Sequence, residues 1–456
     1  MYTNDYAPTP FWLSQTKQML PIASIVKPLT AKQTVKATDQ DASFFRRIER
    51  DHRILLNHQQ IAAIRHIDGP LLIMAGAGSG KTTCISAKVA YLADVGRIPI
   101  NRILAVTFTK KAANELSERI AAMVGERAFQ VNACTFHSFF WRFLKQNGYS
   151  KHQIIANETS RRAIMASIIN KLGLAKRYTA EEALDAVQLG HTATERNLST
   201  NEDGIQCIVE AYQRYLEESR LLDFDTLQIK TNELLRNNPH LMSKMQQAFD
   251  YILIDEFQDV NPIQADIIRL LVEPRNNLCA VGDPRQTIYG FRGSDVRNIN
   301  QFADDYPGAV TIRLDINYRS TNSIVGLANR ILVNTPYSEP LYVVKGSKQV
   351  PLFLGATTIE QEADVVQRTI MTEVGNGSLY CDIAVLYRST SACRKLVEKL
   401  LINDIPIIIA NGQPLIYNDP SIKPIIAILR LAVEPANMAL LANVLPVWYV
   451  SPLKAV

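Results

Sequence analysis

Short apolar runs alternate with helical patterns along the chain from residue 56 onward. Five of these runs are apolar on both faces, at residues 71–75, 102–107, 251–255, 278–282 and 311–314. Strands of a parallel sheet have this character because helices cover both faces of the sheet. The pattern therefore predicts an α/β fold built on a mostly parallel sheet with flanking helices.

Three other regions differ from this pattern. Residues 148–249 are rich in Glu, Arg, Gln and Leu with helical spacing, and they predict a helical insertion between the second and third of these strands. After residue 325 a second alternation has strand candidates at 351–354, 382–387 and 405–410 and a helix at 423–432, too few strands for a complete α/β domain. Residues 1–50 have weak periodicity, which indicates a partly flexible extension rather than a domain.

Composition limits the class of protein only loosely. The 456 residues carry 49 Lys and Arg against 44 Asp and Glu, and the net charge of +5 is compatible with nucleic-acid binding without requiring it. The six cysteines lie far apart and none forms a Cys-x-x-Cys pair, so the sequence suggests neither a zinc site nor a disulfide framework. No run reaches the ~18 apolar residues of a membrane span, and we expect a cytoplasmic protein.

The first predicted strand leads into a glycine-rich turn that ends in Lys-Thr. Such glycines permit a tight turn whose backbone N–H groups can face phosphate oxygens, and the following helix adds the positive end of its dipole. Lys81 would supply a point charge for the β- and γ-phosphates, and the Thr82 hydroxyl could bind Mg²⁺. A turn that binds nothing would not account for Lys-Thr at this position. The predicted triphosphate site comprises Ala75, Gly76, Ala77, Gly78, Ser79, Gly80, Lys81, Thr82 and Thr83.

Polar side chains follow two later strands. Asp255 and Glu256 end the apolar run that begins at Tyr251. Asp255 would hold Mg²⁺, and Glu256, pointing to the other side, would orient or deprotonate an attacking water. A solvated acidic loop is the alternative, but the preceding buried strand and the phosphate loop disfavour it. Gln286 could contact the γ-phosphate or its water, although taken alone it fits better as a turn cap.

Eight short motifs occur in order along the chain. They are Leu56-Asn-His-Gln-Gln60, the phosphate loop, Thr107-Phe-Thr-Lys-Lys-Ala-Ala-Asn-Glu115, Thr135-Phe-His-Ser138, Leu222-Asp-Phe-Asp225, Asp255-Glu-Phe-Gln-Asp259, Gly282-Asp-Pro-Arg-Gln-Thr-Ile-Tyr-Gly-Phe-Arg-Gly293 and Asn317-Tyr-Arg-Ser320. Their order and spacing resemble those of UvrD/Rep-type superfamily one DNA helicases over about residues 52–445. The joint match is far more specific than any single motif.

The resemblance implies roles for further residues. It assigns adenine recognition to Gln60, stacking on the adenine to Tyr318 and an arginine finger for the γ-phosphate to Arg319. Without the resemblance, Arg319 would be an ordinary surface arginine. It also implies that a set of loop residues contacts single-stranded DNA, where stacking on rings is tolerant of base sequence. These residues are Phe108, Thr135, His137, Tyr289 and Phe291, and Phe108 taken alone could equally be a core residue.

The resemblance also implies a domain organisation. A first RecA-like motor domain would comprise residues 51–147 and 250–322, and an incomplete second RecA-like domain would comprise 323–412. Residues 413–456 would begin a second helical insertion. The later motifs of the family, including a second arginine finger, are not found in this sequence.

Two hypotheses of function follow. The first is an ATP- and Mg²⁺-dependent DNA helicase that moves 3′→5′ on single strands and acts at duplex junctions. The second is a truncated ATP- and DNA-binding module that needs a protein partner for the missing half of the motor. A P-loop enzyme acting on a small molecule is poorly supported, because it leaves the loop aromatics and Asn317-Tyr-Arg-Ser320 unexplained.

Overall fold

The computed structural model of the protein describes residues 22–155, 157–192, 203–290, 293–347, 349–409 and 423–433. These residues fall into two compact units, 22–351 and 352–433. The strands are β1 (Leu71–Ala75), β2 (Ile103–Thr107), β3 (Asn132–Thr135), β4 (Gln153–Ile154), β5 (Leu221–Leu222), β6 (Tyr251–Ile254), β7 (Leu278–Gly282), β8 (Val310–Leu314), β9 (Ile316–Thr321) and β10 (Tyr342–Lys345).

The helices surround these strands in the first unit and make up the regular structure of the second. They are α1 (Ala31–Thr34), α2 (Ala42–His52), α3 (His58–Arg65), α4 (Lys81–Asp94), α5 (Lys110–Val124), α6 (Phe136–Gln146), α7 (Glu158–Lys171), α8 (Ala180–Thr192), α9 (Asp203–Glu218), α10 (Phe224–Asn237), α11 (Pro239–Ala248), α12 (Pro262–Val272), α13 (Arg297–Asn300), α14 (Phe302–Asp305), α15 (Asn322–Leu332), α16 (Ile359–Gly375), α17 (Thr390–Ile402) and α18 (Lys423–Val433).

The first unit is built on a six-stranded sheet with the order β3-β2-β6-β7-β1-β8. Every pair of neighbouring strands in it is parallel, which confirms the predicted α/β fold and all five predicted strands. The sixth strand, β3, was not predicted. Three of its four residues are only partly buried and the fourth is the polar Thr135, so the apolar signal that identifies the other strands is weak here.

Helices cover both faces of this sheet. Alternate residues of each strand point to opposite faces, so that Leu71 and Ile73 lie in one core while Leu72 lies in the other. The first core includes residues of α2 to α5, and the second includes residues of α6 and α10 to α12. The carboxyl ends of the strands consequently meet at one edge of the sheet, which is where ligands bind in such folds.

Residues 148–249 are largely helical, as the sequence predicts. Helices α7, α8 and α9 pack around a small core of their own that contains Met165, Leu184 and Tyr212. Strands β4 and β5 form a separate parallel pair beside them. Helices α10 and α11 differ, because Leu227, Leu235 and Leu241 pack against the main sheet.

Residues 22–50 differ from the prediction of a partly flexible extension over 1–50, whereas residues 1–21 lie outside the described residues. Residues 22–50 carry α1 and α2, and Phe44, Phe45 and Ile48 of α2 are buried in the core beside α4. Arg65 binds Asp41 with two hydrogen bonds of 2.7 and 2.8 Å, which fixes α2 to α3. This part is therefore integral to the first unit. Its helical pattern is weak in the sequence because the amphipathic part spans only a few turns.

The second unit also differs from the prediction. The segments 351–354 and 382–387 and the described part of 405–410 are not strands. Leu352, Leu386 and Ile408 are 78%, 95% and 98% exposed. A strand requires hydrogen-bonded neighbours, and the described part of this unit contains none for these segments. The helix predicted at 423–432 is confirmed as α18, whereas 413–422 and 434–456 lie outside the described residues.

Among the described residues, no helix has the combined length and apolar character needed to cross a lipid bilayer.

Candidate nucleotide-binding and DNA-binding site

The glycine-rich turn connects β1 to α4 at the carboxyl edge of the sheet. Gly78 and Gly80 have φ values of +66° and +86°, in the left-handed region that favours glycine. A Cβ atom on Gly76 would lie 2.4 Å from Leu341 Cδ2, so no larger residue fits there without movement. The Ser79 hydroxyl is buried and has no hydrogen-bond partner among the described residues. Together with the amino end of α4, the turn has the form of a phosphate-binding loop.

The structure brings Lys81 and Glu256 together. Lys81 Nζ lies 2.9 Å from Glu256 Oε2, and the Lys81 side chain is only 13% exposed. Glu256 adopts a left-handed conformation with φ 52° directly after β6. Such a conformation is strained in a residue other than glycine, and strained residues are concentrated at functional sites. The predicted phosphate ligand and the predicted general base are therefore in direct contact.

Asp255 and Asp259 are buried carboxyl groups near this pair. Burial, with the neighbouring charge of Glu256, raises the pKa of Asp255 to about 7 and that of Asp259 to about 6. A divalent cation would favour the ionised form of Asp255. The hard oxygen donors of Asp255 and Thr82 suit Mg²⁺, which usually takes one or two protein ligands and completes its shell with phosphates and water. Within the described ranges, no group of three or more His, Cys, Asp or Glu side chains is arranged to hold a metal ion.

Gln258 connects the Glu256 region to the loop after β7. Its Nε2 donates to Glu256 Oε2 at 2.9 Å, and its Oε1 accepts from the Asp283 backbone N–H at 3.0 Å. Asp283 in turn accepts a hydrogen bond of 2.7 Å from Gln286 Nε2. A continuous polar chain therefore runs from Lys81 to Gln286. The sequence reasoning missed Gln258 and Asp283, although both lie within the quoted motifs.

Gln60 and Tyr318 lie beside the same loop. Gln60 Nε2 donates to the Ser79 carbonyl at 2.9 Å, and Gln60 Oε1 accepts from the Asn57 N–H at 2.9 Å. Tyr318 N–H donates to the Gly78 carbonyl at 2.8 Å, and its hydroxyl accepts from Asn57 Nδ2 at 2.7 Å. Burial raises the pKa of the Tyr318 hydroxyl, which keeps it neutral. Asn57, which the sequence reasoning did not single out, joins the two predicted adenine-contacting residues.

Arg319 is exposed and lies beside the phosphate loop. Its Cβ would be 2.9 Å from a Cβ atom on Gly78. Its backbone N–H is fixed by Asn317 Oδ1 at 2.9 Å. An exposed arginine beside the phosphate loop fits a role in binding a phosphate oxygen.

Three of the predicted DNA-contacting rings lie in two ring pairs, one of which includes a residue that was not predicted. Phe108 and Tyr289 stack with centroids 4.7 Å apart and an interplanar angle of 24°. His137 lies 4.7 Å from the ring of Phe224, which is 41% exposed. Phe224 was missed, although it belongs to the quoted segment Leu222-Asp-Phe-Asp225. Its exposure beside a motif residue is visible only in the structure.

The two remaining predicted DNA-contacting residues, Thr135 and Phe291, provide less evidence of a role in DNA binding. Thr135 is buried, and its hydroxyl accepts from the Ser138 N–H at 3.2 Å, which caps the amino end of α6. Phe291 lies outside the described residues.

Comparison with known proteins identifies the family. The model of the UvrD/REP helicase N-terminal domain matches residues 56–307, and that of the UvrD-like helicase C-terminal domain matches residues 312–449. The ATP-dependent DNA helicase PcrA of Staphylococcus aureus is 35% identical over 394 residues, which cover 83% of this chain and 54% of the relative. The same helicase of Staphylococcus epidermidis is 34% identical over 394 residues, 82% of this chain and 53% of the relative.

The chain thus spans about half the length of the curated relatives it matches. Because the N-terminal family model covers more than half of the chain and the motifs it carries meet at one edge of the sheet, this protein belongs to the UvrD/Rep helicase family.

Proposed function

We propose that the protein is an ATP-dependent DNA helicase motor that moves 3′→5′ along single-stranded DNA and acts at duplex junctions. One observation carries this proposal. A polar chain runs from Lys81 through Glu256, Gln258 and Asp283 to Gln286, and the same loop then carries Tyr289, which stacks on Phe108. A change at the γ-phosphate can thus reach a ring suited to stacking on a base.

The residues around the phosphate loop divide the chemistry of hydrolysis among them. The loop and Lys81 would hold the phosphates, and Thr82 and Asp255 would hold Mg²⁺, which neutralises charge on the β- and γ-phosphates when bound. Glu256 would accept the proton of the attacking water, and Arg319 would stabilise charge on the γ-phosphate in the transition state. Gln60 and Tyr318 would contact the adenine.

The rings supply a means of holding unpaired bases. A base that enters between Phe108 and Tyr289 would replace one ring–ring contact with two ring–base contacts, so the exchange is inexpensive in free energy. His137 with Phe224 offers a second position of the same kind. Because stacking is tolerant of base sequence, such positions suit a motor that steps along any strand.

The proposal includes a protein partner and a compartment. A partner that covers the apolar side chains of the second unit, such as Leu386 at 95% and Ile408 at 98% exposure, is supported by that exposure. The six cysteines are all free thiols, which suits the reducing cytoplasm.

The test measures ATP hydrolysis by the full chain with and without single-stranded DNA. We expect DNA to stimulate hydrolysis, and we expect Lys81→Ala to lower the rate by about two orders of magnitude or more, because a preorganised cation at the phosphates is lost. Lys171→Ala, which removes an exposed lysine at the end of α7, is the matched control. Hydrolysis that is equally fast without DNA would contradict the proposal.

Strand displacement then tests direction. A duplex with a 3′ single-stranded tail should be unwound, and one with a 5′ tail should not. Displacement from the 5′ tail alone would contradict the proposed polarity.

A further inference from the structure

The segment 22–30, which we call the N-terminal strap, crosses from the β9–β10 pair to the amino end of α3. We propose that the strap is a positioning element for the adenine side of the nucleotide site. It holds the strand that carries Tyr318 and Arg319 against the helix that carries Gln60. The inference rests on the proposed ATP-binding function, and it concerns a segment that lies before the residues matched by the family models.

One end of the strap pairs with β10 of the β9–β10 pair through an isolated parallel bridge. The Val26 N–H donates to the Val343 carbonyl at 2.8 Å, and the Val343 N–H donates to the Ser24 carbonyl at 3.1 Å, in a parallel arrangement. The Ala23 N–H also donates to the carbonyl of Asn322, the first residue of α15, at 2.9 Å. Ala23 is buried in a small core that contains Ala23, Val325, Leu341 and Val343.

The β9–β10 pair carries the predicted nucleotide contacts. Val343 of β10 is paired with Asn317 of β9, and Tyr318 and Arg319 follow directly. Asn317 Nδ2 donates to the Ala77 carbonyl of the phosphate loop at 2.6 Å. A two-stranded sheet is marginally stable by itself, so the hydrogen bonds of the strap to Val343 and the packing of Ala23 add stability to it. The strap therefore stabilises the strand that presents Tyr318 and Arg319.

The other end of the strap is joined to the adenine-binding helix. The His58 N–H, at the start of α3, donates to the Leu29 carbonyl at 3.1 Å, and Thr30 forms an antiparallel bridge with Asn57. Asn57 Nδ2 donates to the Tyr318 hydroxyl at 2.7 Å. A closed ring of contacts consequently surrounds the adenine side. Its members are the strap, β10, β9, Tyr318 and Asn57.

The strap is anchored beyond residue 30. Helix α2 is fixed by Asp41, which accepts hydrogen bonds from Arg65 at 2.7 Å and from the Tyr91 hydroxyl at 2.9 Å. The neighbouring Arg65 guanidinium lowers the pKa of Asp41, so this carboxyl group remains ionised and the anchor persists at neutral pH. With both ends attached, the strap limits how far β9 can move from α3.

Preorganisation of this kind strengthens binding because the entropy of ordering the pocket is lost before the ligand arrives. The strap acts on Tyr318 and Gln60, which lie on the adenine side, whereas the phosphate loop is held by β1 and α4 in addition to its bonds with β9. We therefore expect the strap to affect binding of ATP, which has an adenine, more strongly than binding of tripolyphosphate, which has only the phosphates.

The test compares two proline variants of the full chain. Val26→Pro removes the N–H that bonds to β10, whereas Lys27→Pro alters the next position, which is exposed and whose N–H bonds to no described residue. With Mg²⁺ present, we expect Val26→Pro to weaken ATP binding by roughly three- to tenfold, the factor that corresponds to the loss of about one backbone hydrogen bond. Tripolyphosphate binding should weaken less than ATP binding does, and Lys27→Pro should bind both ligands as the wild type does.

Hydrogen exchange without ligand gives a second, independent measurement. The amide protons of Val343 and Tyr318 should exchange faster in Val26→Pro than in Lys27→Pro, while those of β1 and β7 should be unchanged and so report an intact fold. Equal exchange at Val343 and Tyr318 in both variants, or equal weakening of ATP and tripolyphosphate, would overturn the role of the strap. Failure of the wild type to bind ATP would instead refute the proposed function, and the exchange result would still decide whether the strap restrains β9.

Discussion

The nucleotide side and the ring side of the candidate site lie at the same edge of one sheet but are held in different ways. On the nucleotide side, Lys81, Glu256, Gln258, Asp283 and Gln286 are linked by directional hydrogen bonds, and Gln258 is only 1% exposed. On the ring side, the rings pair face to face or at a tilt, and the two ring centroids within each pair are 4.7 Å apart.

The difference reflects two kinds of task. Hydrolysis requires charged groups held within a fraction of an ångström, and buried hydrogen bonds supply that precision. Holding an unpaired strand of any sequence requires contact without direction, which flat rings supply. The two sides should therefore be separable by mutation, with Gln258 and the loop after β7 as the connection between them.

The largest expected effect is on the ring side. Phe108→Ala and Tyr289→Ala should each weaken binding of a single-stranded oligonucleotide by about 1–3 kcal/mol, the contribution of one stacked base. The slope of affinity against salt concentration should be unchanged, because no phosphate contact is removed. Fluorescence anisotropy at several salt concentrations measures both quantities, with ATP binding by the same variants as the control. A loss of ATP binding in either variant would show that the sides are not separable.

A smaller effect should follow from breaking the connection. Gln258→Ala removes the contacts to Glu256 and to the Asp283 N–H, so DNA should stimulate hydrolysis roughly tenfold less, the result of losing one to two hydrogen bonds. Oligonucleotide affinity should remain that of the wild type. The ratio of hydrolysis rates with and without DNA measures the change. An unaltered ratio would mean that the coupling takes another route.

The smallest effect concerns the buried carboxyl group of Asp255. Its pKa of about 7 in the folded protein lies above the value of 3.8 expected when unfolded, so ionisation opposes folding increasingly as the pH rises from about 4 to 7, and fully above 7. Asp255→Asn should therefore raise the melting temperature of the Mg²⁺-free protein by a few degrees at pH 8 and leave it unchanged near pH 4. Thermal melts across this range provide the test. A variant that is destabilised at pH 8 would indicate that the carboxylate is satisfied without a cation.

The sequence predicts the first sheet well because five of its strands are apolar on both faces, a pattern that few other structures produce. The same kind of pattern fails at 351–354, 382–387 and 405–410, since an apolar run becomes a strand only when a neighbour accepts its hydrogen bonds. Local composition contains no information on that neighbour.

The residues of the candidate site likewise fall into those that can be assigned from the sequence and those that cannot. Residues such as Lys81 and Asp255 can be assigned from the elements that immediately precede them, although their roles stay predictions. Asn57 and Gln258 could not be assigned in this way. Asn57 is distinguished by a partner far away in the chain, Tyr318, and Gln258 by the second contact that its amide oxygen makes with the Asp283 N–H. The strap was missed for the same reason, because residues 24–26 have no periodicity and pair with a strand more than three hundred positions later.

The distance along the chain between the strap and β10 affects the order in which the pocket forms during synthesis. Helix α2 can dock as soon as α4 has left the ribosome, and it then keeps segment 22–30 near its eventual place. At a synthesis rate of about 5–20 residues per second, β10 emerges roughly 15–60 s after residue 26. Residues 24–26 therefore lack their hydrogen-bonding partner for that time. The adenine side of the pocket is accordingly completed late, only when the last-made part of the first unit returns to the first-made part.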